Sequence, residues 1–163
     1  MAITIKNEKQ IEYMRIAGRI TGEVLNLLES KIREGISTKE LDKIAEEYIR
    51  SQGAVPSFKG YGGFPASICA SVNEEIIHGI PGKRVLKNGD IISVDVGAYI
   101  NGFHGDAART FAVGEISDEA KKLIDVTKQS FFEGIKFAKA GNHLFEISGA
   151  IQQYVESNGF SVV

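Results

Sequence analysis

Two aspartates lie on either side of an Asn-Gly dipeptide in the stretch DVGAYINGFHGDAARTF, residues 95–111. Asn-Gly between alternating apolar residues is the strongest short signal for a β-hairpin with a two-residue turn. With that turn, Asp95 pairs with Ala108, and Asp106 becomes the diagonal neighbour of Asp95 on the same face. The spacing therefore predicts that two carboxylates converge on one polar face of a hairpin.

Two such carboxylates repel each other unless a positive charge compensates them or one of them takes up a proton. A hard divalent cation would compensate them, because carboxylate oxygens suit Mn²⁺, Fe²⁺, Co²⁺ and Zn²⁺. The alternative is that one aspartate pairs with Arg109 and the other faces solvent. Two ligands are also fewer than the three that a catalytic metal usually takes from a protein. The spacing alone leaves both interpretations open.

The three histidines of the chain are His78, His104 and His143, and none has a metal-ligand spacing such as H-x-x-x-H. His104 lies two residues before Asp106, on the same predicted face. His78 precedes a Pro-Gly turn in EEIIHGIPG, so we expect a loop from which a catalytic histidine could reach a cleft. A surface or supporting role is the alternative for each histidine.

The elements that position these residues predict an α+β fold. Apolar residues recur at helical spacing from Asn7 to Ile32. Ser37 and Glu40 form a capping-box signal for a second helix that Gly53 stops. Residues 55–114 are rich in glycine and short β-type runs. The last two helices are predicted to follow Ser117 and to cover about 144–158.

An internal repeat is visible when residues 35–53 are laid over residues 141–159. YIRSQG then matches YVESNG, position for position in residue type. Any two amphipathic helices that end at glycine resemble each other, which is the simpler explanation. The other explanation is a duplication in which each copy has two helices followed by β-hairpins.

The composition predicts an ordinary globular protein of 163 residues, 43% hydrophobic and 25% charged, with a formal net charge of −2. The near-neutral balance gives no electrostatic reason to expect nucleic acid or a membrane surface as partner. Cys69 is the single cysteine, which excludes an internal disulfide. Without an apolar run of signal-peptide length, we expect a cytoplasmic location.

Two stretches, CASVNEEIIHGIPG and LKNGDIISVDVGAYINGFHGDAARTFAVG, resemble the methionine aminopeptidase family in its bacterial type I form. The resemblance implies the pita-bread fold, in which helix pairs pack on a central antiparallel sheet in two pseudo-symmetric halves. It implies a hydrolase with two divalent metal ions (Co, Mn, Fe or Zn). Its substrates would be nascent polypeptides whose N-terminal methionine precedes a small residue, and the ribosome is a candidate partner.

The resemblance also implies roles for individual residues. Asp95 and Asp106 match metal ligands of the family, and Asp106 matches the one that bridges both ions. His78 matches a catalytic histidine that contacts the substrate peptide, and His104 resembles a residue behind the ligands. Tyr61, Phe64 and Cys69 match positions that line the pocket for the methionine side chain, although the family often has tyrosine in place of Phe64.

The chain departs from the family pattern at its C-terminal end. A further histidine ligand, two glutamate ligands and a second substrate histidine follow in the family beyond the point matched by Val163. We therefore expect a single truncated catalytic domain over residues 1–163, with a first half at 1–114 and helices of an incomplete second half at 115–163. The 163 residues alone are expected to be inactive.

Two other functions compete with this one. A non-catalytic pita-bread fragment could keep the fold as a binding module, but such a module has no need of convergent acids. A relative of the same fold could instead cleave another bond, as proline-specific peptidases do. Those peptidases usually carry an additional N-terminal domain, whereas the first helix here is predicted to begin near residue 7.

Overall fold

The computed structural model describes residues 3–163, and these form two compact units that divide after Glu115. The first unit contains two helices and four strands, and the second contains two helices. In chain order the elements are α1 (Glu8–Glu29), α2 (Thr38–Ser51), β1 (Val55–Pro56), β2 (Ile68–Val72), β3 (Ile91–Ile100), β4 (Phe103–Ala112), α3 (Asp118–Ile135) and α4 (Leu144–Ser157). The α+β class expected from the sequence is confirmed.

The helices begin where polar side chains satisfy their first backbone N–H groups. Asn7 and Gln10 form a reciprocal capping box at α1, and Ser37 and Glu40 form one at α2. Ser117 caps α3 by accepting a hydrogen bond from the Ala120 N–H. Such caps stabilise a helix because the first four N–H groups have no partner inside it. The predicted starts after Ser37 and Ser117 are confirmed.

The first helix ends earlier than the apolar spacing predicted. It stops at Glu29 rather than near Ile32, and the N–H groups of Lys31 and Ile32 both bond to the Leu28 carbonyl. Ser30 also donates its hydroxyl to the Leu27 carbonyl at 2.6 Å. A side chain that bonds to the backbone in this way competes with the helical ladder. The apolar residues that follow therefore pack on the core without being helical.

The sheet is antiparallel throughout, with β3 at its centre. β4 pairs with one edge of β3, and β1 and β2 follow one another along the other edge. The β3–β4 register runs without a bulge from Ile91↔Ala112 to Ile100↔Phe103. Asp95 therefore lies opposite Ala108, as the Asn-Gly turn predicted.

The core of the first unit lies between one face of this sheet and the helices α1 and α2. That face carries the apolar residues of β3 at alternate positions, which is the pattern of a strand buried on one side. Its fully buried members are Ile92, Val94, Val96 and Ala98, and the helices contribute Ile20, Val24, Leu28, Leu41 and Ile49. The opposite face of the sheet is left for the polar residues.

The second unit is a pair of helices in which a glycine allows close approach. A Cβ at Gly134 of α3 would lie 2.6 Å from Cγ1 of Ile151 in α4. Val126 and Val155 are buried in the same unit. Among residues 3–163, none of the helices combines the length and the apolar character that a membrane span requires.

The repeat seen in the sequence extends to local geometry. Gly35 and Gly141 have φ of 89° and 94°, and Gly53 and Gly159 have φ of 73° and 87°. α4 also has the capping-box arrangement of α2, with Glu146 in the place of Glu40. Shared left-handed glycines and shared caps favour the duplication over a chance likeness of two amphipathic helices.

A glycine in β4 makes the contact between the sheet and α1 possible. A Cβ at Gly105 would lie 2.4 Å from the backbone oxygen of Ala17, and neither backbone can move without breaking its own hydrogen bonds. We predict that Gly105→Ala destabilises the protein by roughly 1–3 kcal/mol, the usual cost of overpacking.

Gly22→Ala is the matched control, because nothing lies within 4 Å of a Cβ at that helical position. Alanine is favoured over glycine within a helix by about 0.5–1 kcal/mol, so this variant should be slightly more stable than the parent. Urea unfolding of both variants measures the difference. Equal stabilities for the two variants would contradict the proposed contact.

Candidate metal and substrate site

The two aspartates of the hairpin lie on the face of the sheet that points away from α1 and α2. Asp95 is paired with Ala108 and Asp106 with Gly97, so the two acids are diagonal neighbours across β3 and β4. Side chains at diagonal positions on one face of a sheet are within reach of each other. Gly97 and Ala108 are the residues paired with Asp106 and Asp95, and both are small.

This arrangement disfavours the charged form of the Asp95 carboxyl. Burial raises the pKa of the Asp95 carboxyl above its ordinary value of 3.8, and the adjacent Asp106 raises it further through its charge. The positive form of His78 acts in the opposite direction and is outweighed. The Oδ1 atom of Asp95 is buried and has no hydrogen-bond partner among residues 3–163. A buried carboxylate oxygen without a partner is costly, and a cation beside it would remove the cost.

Arg109 does not compensate either aspartate. Its guanidinium lies on the helix side of the sheet, where it donates to Asn26 at 3.1 Å and to Glu29 at 3.2 Å. The alternative in which one aspartate pairs with Arg109 is therefore wrong. The reason is strand alternation, because residues 106 and 109 of one strand point to opposite faces.

Cys69 lies directly opposite Asp95 on the other side of β3. Its side chain is buried, and burial raises the pKa of the thiol to about 11, with Asp95 and Asp106 adding to the rise. A thiol with that pKa is neutral at physiological pH, so it is a poor nucleophile. It forms a small, soft wall beside the two acids.

His78 lies on a loop that is held against the free edge of β2. Ala70 donates its N–H to the Gly79 carbonyl at 2.8 Å, and the Gly79 N–H bonds to the Ser71 hydroxyl at 3.1 Å. A Cβ at Gly79 would lie 2.3 Å from the Ala70 oxygen, so only glycine allows this approach. His78 itself has a φ of 59° and is exposed. Such backbone strain in a non-glycine residue is typical of functional positions.

Asn73 and Glu75 begin this loop, and both belong to the stretch CASVNEEIIHGIPG that carries the family resemblance. The Asn73 side chain donates to Asp90 and accepts the N–H of Ile91, both at 2.9 Å. Glu75 accepts the Val72 N–H at 2.8 Å and pairs with Arg84 at 3.1 Å. Asn73 and Glu75 therefore hold the two ends of the loop, and their hydrogen bonds do not go to Asp95 or Asp106.

His104 lies opposite Tyr99, on the same face of the sheet as the two acids. Its Nδ1 lies 2.8 Å from the Ser57 hydroxyl, and its ring packs on Tyr99 with 4.5 Å between centroids. His104 therefore connects β4 to the segment that follows β1. The structure records no contact between His104 and either aspartate.

The predicted pocket residues Tyr61 and Phe64 lie in the glycine-rich segment between β1 and β2. Tyr61 is 83% exposed, in a short 3-10 turn, and Phe64 is half-buried. Phe58 was not predicted. A Cβ at Gly97 would lie 2.7 Å from the Phe58 ring. Because Gly97 pairs with Asp106, the Phe58 ring lies over the face of the sheet that carries the two acids. The three-residue spacing of Phe58, Tyr61 and Phe64 was the available signal.

A family model described as metallopeptidase family M24 matches residues 12–163, which is nearly the whole chain. The chain belongs to metallopeptidase family M24. The methionine aminopeptidase of Clostridium acetobutylicum is 64% identical over 162 residues. That alignment covers 99% of this chain and 65% of the relative, so the chain spans about two thirds of the relative's length.

Solved structures of the M24 type confirm the expected pita-bread fold. The methionine aminopeptidase from Rickettsia prowazekii superposes with a TM-score of 0.97 at 38% identity, covering 99% of this chain and 65% of the other. A Xaa-Pro dipeptidase from Bacillus anthracis superposes less closely. Its TM-score is 0.84 at 29% identity, and the match covers 95% of this chain and 42% of the dipeptidase.

The acid pair of this M24 chain fits a divalent cation. Two adjacent carboxylates, one with an unpartnered buried oxygen, are the hard donor set that such ions prefer. Within residues 3–163, however, no cluster of three or more His, Cys, Asp or Glu side chains could enclose a metal ion. Among residues 3–163, Asp95 and Asp106 alone would give a bound cation only part of its coordination shell.

The cost of the acid pair gives a prediction for this M24 chain without metal. Asp95→Asn should stabilise the chelator-treated protein by about 0.5–2 kcal/mol, as relief of functional-site strain commonly does. Because the folded pKa of Asp95 is raised, the charged form opposes folding. The advantage of the variant should be absent below pH 3.8, grow as the pH rises through the raised pKa, and then stay constant.

Asp90→Asn is the control, with the opposite sign. Burial raises the pKa of Asp90, but hydrogen bonds from the Asn73 amide and the Lys87 N–H outweigh it and leave the pKa lowered. The charged form of Asp90 thus favours folding, and its replacement should cost stability at neutral pH. Thermal unfolding of both variants between pH 3 and pH 8 measures the two effects. A loss of stability in Asp95→Asn would contradict the strained pair.

Proposed function

We propose that the protein removes the N-terminal methionine from peptides in a metal-dependent hydrolysis. The observation that carries this proposal is the convergence of Asp95 and Asp106 beside Cys69, with one carboxylate oxygen buried and unpartnered. Divalent cations held by such acids supply Lewis acidity toward a carbonyl and activate water. The name of the Clostridium acetobutylicum relative, methionine aminopeptidase, agrees with this chemistry.

The residues of the chain divide the work in this proposal. Asp95 and Asp106 hold two divalent ions, with Co, Mn, Fe and Zn as the candidates. His78 contacts the substrate peptide from its strained loop, where an imidazole can donate a hydrogen bond to a peptide carbonyl. Cys69 and the aromatic residues of the preceding segment receive the methionine side chain. A neutral thiol and aromatic rings are suitable partners for a thioether.

The substrates in this proposal are nascent polypeptides in the cytoplasm whose methionine precedes a small residue. The ribosome is a candidate partner, because new N-termini emerge there. A proline-specific peptidase is the weaker alternative, since the match to the Xaa-Pro dipeptidase is lower in both identity and TM-score. A binding module without chemistry would gain nothing from a strained pair of acids.

Replacement of a metal ligand gives the direct test in the complete gene product. We predict that Asp106→Asn lowers kcat/KM for Met-Ala-Ser at least about a hundredfold, more than is usual for residues behind a metal ligand. Asp125→Asn, an exposed acid of α3, is the control and should match the parent. Released methionine is measured by chromatography. A chelator should stop the reaction, and added Mn²⁺ or Co²⁺ should restore it.

An Asp106→Asn enzyme with activity close to that of the parent would contradict the role of the acid pair. A parent enzyme that releases methionine equally well after complete metal removal would contradict metal dependence. Each variant is compared by thermal unfolding, so that a loss of folding is recognised separately.

Cys69 tests the position of the pocket. We predict that Cys69→Trp lowers turnover of Met-Ala-Ser at least about tenfold, since its ring would occupy the space beside Asp95. Cys69→Ala removes the sulfur without filling that space and should retain most activity. Steady-state kinetics and a thermal melt are measured for both. Undiminished turnover in a folded Cys69→Trp enzyme would exclude this residue from the pocket.

A further inference from the structure

The predicted pocket residues Tyr61 and Phe64 lie in the segment 57–67, which leaves the edge of β3 after β1 and returns to the same edge at β2. Pro56 at the end of β1 pairs with Ala98, and the Ser57 N–H donates to the Gly97 carbonyl at 2.9 Å. Ile68 at the start of β2 pairs with Val96, the next residue of β3. Both ends of the segment 57–67 therefore meet beside adjacent residues of the strand that carries the acids.

The turn inside the segment is held by its own backbone hydrogen bonds, among them Gly60 N–H to the Phe64 carbonyl at 2.8 Å and Tyr61 N–H to the Phe58 carbonyl at 3.0 Å. Gly60, Gly62 and Gly63 all have positive φ, at 88°, 55° and 84°. Glycine loses more conformational freedom on folding than any other residue. Tyr61 among them is 83% exposed. Those hydrogen bonds lie within the turn, so the position of the turn relative to the sheet depends on what holds the ends of the segment.

Asp42 of α2 holds the C-terminal end. Its Oδ1 accepts the N–H groups of Ser67 at 2.7 Å and Ile68 at 3.0 Å, immediately before Cys69. Burial raises the pKa of Asp42, although the two N–H groups oppose the rise. A half-buried carboxyl is thus kept where it costs stability, and its two hydrogen bonds fix where β2 begins.

Glu46, one turn further along α2, holds the N-terminal end. Its Oε2 pairs with the Lys59 ammonium at 2.6 Å, and its Oε1 accepts from the Arg50 guanidinium. The hydrogen bond from Lys59 is the largest cause that lowers the pKa of Glu46 to about 2. Glu46 is therefore charged throughout the physiological range. Ion pairs near the surface contribute little to stability, which favours a geometric role.

We propose that Asp42 and Glu46 are positioning residues that set the shape of the methionine pocket by holding both ends of the segment 57–67. Neither residue needs to touch the substrate, because each acts through the backbone or side chain of the segment. This proposal rests on the proposed function, since it names that pocket. It explains why two acids one helical turn apart face the same loop.

The test compares Asp42→Ala and Glu46→Ala in the complete gene product. Both variants should lower the ratio of kcat/KM for Met-Ala-Ser over Leu-Ala-Ser by about tenfold, within the range over which pocket contacts discriminate side chains. Asp42→Asn should restore the ratio, because its amide oxygen can accept the same two N–H groups. Glu47→Ala is the control, since Glu47 lies on the same helix and pairs with Lys43 at 3.8 Å rather than with the segment 57–67.

Amide hydrogen exchange gives a second measurement that needs no activity. Exchange in residues 57–68 should be at least about tenfold faster in Asp42→Ala and about threefold faster in Glu46→Ala than in the parent, with exchange in β3 and β4 unchanged. Glu46→Ala alters a solvent-facing ion pair, so it should fold even if Asp42→Ala does not.

The outcomes separate the two proposals. A parent enzyme that releases no methionine would contradict the proposed function, whatever the exchange data show. Unchanged exchange in Glu46→Ala and Asp42→Ala would contradict the positioning role, with or without activity. Faster exchange with an unchanged Met-to-Leu ratio would also overturn it, because the segment would then move without altering the pocket.

Discussion

The two-residue turn at Asn101 and Gly102 fixes the register of β3 against β4, and the site depends on that register. Both turn residues have positive φ, 55° and 85°, the conformation that a tight hairpin with the natural twist requires. A slip of one residue would move Asp106 to the helix side and Arg109 to the acid face. The buried Phe111 of β4 opposes this slip, because it would move from the core to the other face of the sheet. One local turn and one buried face thus jointly determine where the carboxylates meet.

The same register lowers the stability of the folded protein, because it places the charge of Asp106 beside the half-buried Asp95. Asp95 is half-buried beside Asp106 and has an oxygen without a hydrogen-bond partner among residues 3–163, and the opposing effect of His78 on its pKa is outweighed. The basic residue of the same hairpin, Arg109, is engaged with Asn26 and Glu29 on the other face. Natural proteins accept such local strain where function requires it. A pair of acids that destabilises the empty protein is the arrangement expected of a site whose stability comes from a bound cation.

The surroundings of the acid pair are built by close backbone approaches. Gly79 brings the His78 loop against Ala70, and Gly97 lets Phe58 cross the acid face. Gly105 brings the back of β4 against α1. Each glycine lies where a Cβ would meet backbone or a ring at less than 3 Å. These contacts place a histidine, an aromatic ring and a helix around two strands, and no side-chain interaction could bring the backbones as close.

The sequence by itself determined the local features of this protein. The Asn-Gly dipeptide predicted the hairpin register, Ser37 and Ser117 predicted two helix starts, and alternation predicted the acid face. These succeed because a turn, a cap and a strand period depend on residues within a few positions of each other. The motifs around His78 and Asp95 also sufficed for the resemblance to a family.

Only the tertiary structure decided which distant residues meet. It placed Cys69 opposite Asp95, engaged Arg109 with α1, ended α1 at Glu29, and laid Phe58 over Gly97. It also joined Asp42 and Glu46 of α2 to the segment 57–68. In one sequence an aspartate four residues from a glutamate on a helix is indistinguishable from an ordinary solvated face. Its partners are chosen by how the helix packs on the sheet, and that packing depends on the whole core rather than on any local pattern.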